Sequence, residues 1–204
     1  MKKAVICIFA VIGVAAALYL FFPSEKGIRN VKPLGETIIC FGDSLTSGTG
    51  ASFGMDYPSQ LSGLIGQPVL NAGFPGDTTE AALKRLGKDV LSQSPKIVLI
   101  TLGGNDLKNG VPKDEAFANL KTIVEGIQAK GALVVVGGIS VPLLGRGFDD
   151  EYKKLCEQTG SLLIPNLFEG IMGNEDLMSD PIHPNDKGYQ IIAERFYGVI
   201  RGYL

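Results

Sequence analysis

The chain has 204 residues, 45% of them hydrophobic, with 21 acidic against 19 basic side chains, a net charge of −2 and an isoelectric point near 5.5. That length and apolar content suit one well-packed core, while two domains would each be short of buried surface. No run of lysine and arginine is interleaved with aromatic residues, so the electrostatic footprint of a nucleic-acid partner is absent.

In chain order, the first element is a leader. Lys2 and Lys3 precede nineteen apolar or small residues, 4–22, and the run stops at Pro23-Ser24-Glu25-Lys26. The form is that of an export signal, but the apolar stretch is long enough to span a bilayer, which favours an uncleaved anchor with the lysines on the cytoplasmic side. Cleavage near Ala15-Ala16-Ala17 is the competing reading, and it would leave Leu18 to Phe22 exposed on the mature protein. The expected organisation is therefore a signal or membrane anchor over 1–26 and a single folded domain over 27–204, on the outer side of the membrane.

From Gly35 onward, short apolar runs alternate with longer amphipathic stretches. Strands are predicted at 37–41, 68–71, 97–102, 133–137 and 162–165, because each run is short, rich in β-branched residues or leucine, and bounded by Gly, Pro or Asn. Helices are predicted at 57–65, 79–92, 113–130, 149–159 and 185–201. In 113–130 the residues Ala116, Phe117, Leu120, Ile123, Val124 and Ile127 fall on one face, and Pro112 stands at the start. Five βα units in this order describe an α/β fold with a doubly wound parallel sheet, whose strands read as buried on both faces.

Of the three cysteines, Cys7 lies in the leader, Cys40 ends a predicted strand and Cys156 falls in a predicted helix. The last two read as buried thiols, a disulfide between them being the less favoured alternative. No Cys-x-x-Cys pair is present, and one histidine cannot build a histidine-rich metal cage, so no metal is expected.

In a doubly wound sheet the ligand crevice lies beyond the C-terminal strand ends. Four chemistry-bearing segments fall there: Gly42-Asp43-Ser44, Asn71-Ala72-Gly73, Gly103-Gly104-Asn105-Asp106, and Asp180-Pro181-Ile182-His183-Pro184 before the last helix. His183 is the only histidine. A lone imidazole is often a packed or surface residue, yet here an aspartate lies three positions away in a proline-stiffened loop and a serine awaits at another strand end. A serine hydroxyl is a poor nucleophile without a neighbouring base, and imidazole, titrating near 6.5 when unperturbed, can take its proton and return it to a leaving group. The glycines have a bland reading as turn residues. Nucleotide binding is disfavoured because no Gly-x-x-x-x-Gly-Lys-Ser/Thr occurs, and the Gly-x-Ser-x-Gly elbow is also missing, Thr46 standing at its last glycine.

Taken together in this order, the four segments resemble the four sequence blocks of the SGNH, or GDSL, hydrolases, in particular the small bacterial thioesterase I, arylesterase and lysophospholipase branch. The resemblance implies a five-stranded flavodoxin-like sheet between helical layers and a serine esterase without cofactor. It further implies Ser44 as nucleophile, His183 as base and Asp180 as its orienting partner. The backbone N–H groups of Ser44 and Gly73 and the side chain of Asn105 would form the oxyanion hole. Asp43 belongs to the signature, and we group it with the substrate contacts. After Asp106 the chain departs from the branch, with a shorter loop beginning at Leu107 that borders the acyl side of the cleft in relatives. The opposite border is expected in 139–148, where Val141 and Leu143 are apolar enough for an acyl or aryl group. The expected substrates are acyl or aryl esters, with thioesters and lysophospholipids as further classes. A glycan-deacetylating esterase and a catalytically silent binding module on the same fold are the alternatives.

Overall fold

A computed structural model describes residues 27–140 and 147–204. Five parallel strands form one sheet in the order β2-β1-β3-β4-β5, where β1 is Thr37–Gly42, β2 Val69–Gly73, β3 Pro95–Thr101, β4 Leu133–Gly137 and β5 Leu162–Ile164. This is the flavodoxin-like order, whose reversal beside β1 opens a crevice at the carboxyl ends of the strands.

Alternation along the central strands divides the core into two layers. Ile39, Phe41, Val98, Ile100, Val134 and Val136 point to one face. There they pack on α3 (Thr79–Leu86), α5 (Lys113–Gln128) and α6 (Phe148–Thr159). Their sequence neighbours Ile38, Cys40, Ile97, Leu99, Leu133 and Val135 point the other way, against α2 (Tyr57–Ile65) and α7 (Asp186–Ile200). Each fully buried leucine, isoleucine or phenylalanine in these layers stabilises the fold by about 1.5–3 kcal/mol. The sheet also separates the thiols: Cys40 lies in one layer and Cys156 in the other, and both are free.

The helices start where side chains can satisfy the first N–H groups. Asp56 accepts from Ser59 N–H at α2, Thr78 from Ala81 N–H at α3, and Asn185 from Lys187 and Gly188 N–H at α7. Two four- to six-residue helices escape the periodicity reading: α1 (Ser44–Ser47) and α4 (Gly104–Asn109). Both are too short for a hydrophobic face to repeat. The helix expected over 79–92 ends as α-helix at Leu86 and continues as a π turn over Gly87–Leu91. Nor is β2 buried on both faces, since it is an edge strand on which Leu70 is 38% exposed. Among the described residues no helix is long and apolar enough to cross a membrane. The anchor expected at 4–22 lies outside the described residues.

Candidate active site

The carboxyl ends of β1 and β3 and the loop before α7 meet at one point. Ser44 follows β1 as the first residue of α1, with Asp43 as its cap. Asp180 and His183 sit in a turn closed by hydrogen bonds from Ser179 N–H to His183 O (2.8 Å) and by a bridge between Met178 and Pro184. One Asp180 oxygen accepts the N–H groups of Ile182 and His183, each at 2.8 Å, so the carboxylate is held by its own loop. Its other oxygen lies 2.7 Å from His183 Nδ1. His183 Nε2 is 3.0 Å from Ser44 Oγ, across 139 positions of sequence. The side-chain bond to His183 and then the Ile182 N–H hold the Asp180 carboxyl down at about 2, and desolvation opposes this only weakly because the side chain is 44% exposed. Opposite the turn, Gly50 at φ 94 lets its backbone approach Pro184 O and the His183 side chain, where a Cβ would be 2.7 and 3.2 Å away.

Asn105 lies in the first turn of α4 and donates its side-chain amide to Asp77 O (2.9 Å) and Asp43 Oδ2 (3.2 Å). The helix begins there because Gly103 takes φ 114 with Tyr152 Oη packed where a side chain would be. Tyr152 in turn donates to Leu102 O at 2.6 Å. Asp106, fully buried, accepts from the N–H and hydroxyl of Thr79 and so ties α4 to the start of α3.

These groups open on a cavity of about 560 Å³ bordered by Ser44, His183, Asn105 and Asp43 and by the apolar side chains of Leu45, Leu107, Ile139, Phe168, Met172 and Ile182. Leu107 therefore stands on the cavity, whereas Val141 and Leu143 lie outside the described residues. Asp43 borders the cavity but is only 4% exposed, and its two oxygens accept from Leu45 N–H and Asn105, which leaves neither free for substrate as grouped from the sequence. Gly73 is not brought to this cavity. Its N–H donates to Asn71 Oδ1 at 2.9 Å, and it borders a separate surface hollow with Leu70, Phe74 and Arg85. The expected oxyanion role of its N–H is thus at odds with the geometry: Gly73 faces Gly42 across the β1–β2 register and packs on the Thr46–Ser47 backbone.

Sequence reasoning passed over Phe168 and Met172, which come from the irregular stretch after β5 where no period marks a face. The usable signal was their place just past a C-terminal strand end. It also passed over Arg85, whose guanidinium binds Asp77, Asp89, Ala72 O and Gly42 O and lies over the Phe41 ring. That side chain clamps the carboxyl ends of β1 and β2 to the loop that meets Asn105. Among the described residues no group of three or more His, Cys, Asp or Glu side chains is placed to hold a metal ion.

The five-stranded parallel sheet between helical layers is that of the SGNH hydrolases. The solved structure of TesA superposes with a TM-score of 0.78 at 27% identity, covering 83% of this chain and all of that one. The SGNH-hydrolase esterase AlinE4 gives 0.67 at 32% identity, covering 82% of this chain and 94% of its own. An arylesterase of Vibrio mimicus is 33% identical over 170 residues, which span 78% of this chain and 85% of the relative. The model of the GDSL-like Lipase/Acylhydrolase family matches residues 40–191, and the chain belongs to that family. It is a carboxylic ester hydrolase.

Proposed function

We propose that the protein hydrolyses acyl or aryl esters through an acyl-enzyme on Ser44. The observation that carries this reading is the unbroken series Ser44 Oγ, His183 Nε2, His183 Nδ1, Asp180 Oδ2, with steps of 3.0 and 2.7 Å, at the wall of an apolar cavity. His183 accepts the serine proton as Oγ attacks the ester carbonyl, and later delivers it to the leaving alcohol. Water then repeats the sequence on the acyl-enzyme. Asp180, held down at about 2 and so ionised at neutral pH, fixes the imidazole tautomer with Nδ1–H toward itself and stabilises the imidazolium.

Charge developing on the carbonyl oxygen requires donors fixed in advance. Ser44 N–H, at the open start of α1, and the Asn105 amide supply two. For the third we replace Gly73 by Gly76: its N–H, like that of Ser44, is committed to no hydrogen bond among the described residues. It also adjoins Asp77, whose carbonyl already meets Asn105. At φ 88 with open space where a Cβ would stand, Gly76 exposes its backbone.

The apolar lining from Leu45, Leu107, Ile139, Phe168 and Met172 suits an acyl chain or aryl ring of modest size, with thioesters and lysophospholipids as further substrates sharing the same acyl group. The chain acts outside the cytoplasm, held by residues 4–22 as an anchor. A fluorophosphonate probe tests the core of the reading. Adduct on Ser44 and its loss in Ser44→Ala are expected, whereas labelling elsewhere at the full rate, or no turnover of any ester by the wild type, would overturn it and favour a binding module.

A further inference from the structure

Asp43 is almost fully buried, and both its oxygens are spoken for. Oδ1 accepts the N–H of Leu45 at 3.0 Å, in the helix that begins with Ser44, and Oδ2 accepts the amide of Asn105 at 3.2 Å, in the first turn of α4. One rigid carboxylate thus bridges the loop after β1 and the loop after β3, sixty-two positions apart. We propose that Asp43 is a positioning residue for ester hydrolysis, tying the Asn105 amide to the helix that presents Ser44 so that the amide meets the oxyanion from a fixed place. The proposal rests on the reading of Asn105 as an oxyanion donor.

The chemistry of the two Asn105 bonds says how this works. Its amide has two protons, one on Asp43 Oδ2 and one on Asp77 O at 2.9 Å. An oxyanion out-competes a neutral carbonyl for a donor, because hydrogen bonds to ionised acceptors are roughly twice as strong. It does not out-compete a carboxylate in the same way. The proton resting on Asp77 O is therefore the one handed to the oxyanion, while Asp43 keeps the other and stops the side chain from turning with it.

The grip depends on Asp43 being ionised. Burial pushes its carboxyl up to about 6, opposed by the Leu45 N–H and by His183, and assisted by Asp77. The charged and titratable groups facing it are His183 from the turn before α7, Asp77 from the loop after β2, Tyr152 from α6 and Tyr189 from α7. With the folded value raised, the carboxylate form is complete only above that pH and is lost as pH falls through it.

The test is a double-mutant cycle on the full-length protein with p-nitrophenyl butyrate, measuring kcat and KM for wild type, Asp43→Asn, Asn105→Ala and the double variant. Asp43→Asn keeps the volume and can still cap α1, but cannot accept from both neighbours. Its kcat should fall about 30-fold with KM within about threefold, and Asn105→Ala should fall about 100-fold. The double variant should match Asn105→Ala alone, because the two residues act as one unit. Multiplying losses, an unchanged kcat in Asp43→Asn, or a loss confined to KM would overturn the proposal. A full kcat in Asn105→Ala would instead sink the oxyanion reading beneath it. A second readout needs no change at Asp43: the acid limb of kcat in the wild type should carry a component near pH 6 that Asn105→Ala lacks. Superimposable limbs would overturn the proposal even if Asp43→Asn fails to fold.

Discussion

Gly73→Ala separates a spacer glycine from an oxyanion donor. A Cβ at this position would stand 2.6 Å from Thr46 C and 2.8 Å from Ser47 Cα, and closer still to Ser47 N, whereas ordinary contact begins at 3.4 Å. The atoms it meets are backbone, so no side chain can swing away, and α1 and β2 must part by about 1 Å. Such overpacking costs about 1–3 kcal/mol. Because α1 begins with Ser44, part of the displacement falls on the proposed nucleophile, and a misplacement of about 1 Å costs on the order of 100-fold in rate. The assay is kcat/KM for p-nitrophenyl butyrate, the rate of fluorophosphonate labelling at Ser44, and Tm. All three should fall together, Tm by several degrees at about 2–4 °C per kcal/mol for a chain of this size. Wild-type stability and labelling would refute the packing argument. A loss of kcat and of labelling with Tm unchanged would instead return a catalytic role to the Gly73 backbone.

Asn105→Ala should lower kcat about 100-fold with KM nearly unchanged, since its bond strengthens only as charge develops; a rise in KM alone would mean ground-state binding. Asp180→Asn should lower kcat by about 10⁴-fold, and a loss of less than about 10-fold would remove Asp180 from the assignment. The same variant has a sign to check in stability. Because the folded carboxyl lies at about 2, below its usual 3.8, its contribution is present above 3.8 and lost as pH falls toward 2. The Tm deficit of the variant at pH 6, reduced by solvent screening at this exposed side chain, should therefore narrow between about pH 4 and pH 2. In a p-nitrophenyl ester series from acetate to palmitate, turnover should peak at modest chain length, and a strong preference for acetylated sugars would favour the glycan-deacetylating alternative. The N-terminus of the native protein should still carry residues 4–22 in the membrane fraction; a soluble form beginning after Ala17 would refute the anchor and leave the catalytic assignment intact.

The alternation of elements, the two-faced burial of β1, β3 and β4 and the register of α5 were all legible from residue order, because hydrophobic period and turn chemistry act over a few positions. So was the nearness of Asp180 and His183, three positions apart in a turn whose hydrogen bonds are internal. What lay beyond the sequence has a common cause. Whether a strand has a covered outer face depends on its place in the sheet, and β2 was misjudged because its four-residue run carries no mark of an edge. Preferring Gly76 to Gly73 turns on packing, since Gly73 lies against the Thr46–Ser47 backbone while Gly76 faces open space, and the bond from Gly73 N–H to a side chain two positions back is indistinguishable in sequence from any Asn-x-Gly turn. The partners of Asp43 and the clamp of Arg85 on Gly42 O join residues 62 and 43 positions apart. Residue type says that a buried carboxylate or guanidinium must find partners. Only the packing of β1 between β2 and β3 says which ones, since it alone brings their loops to the same edge.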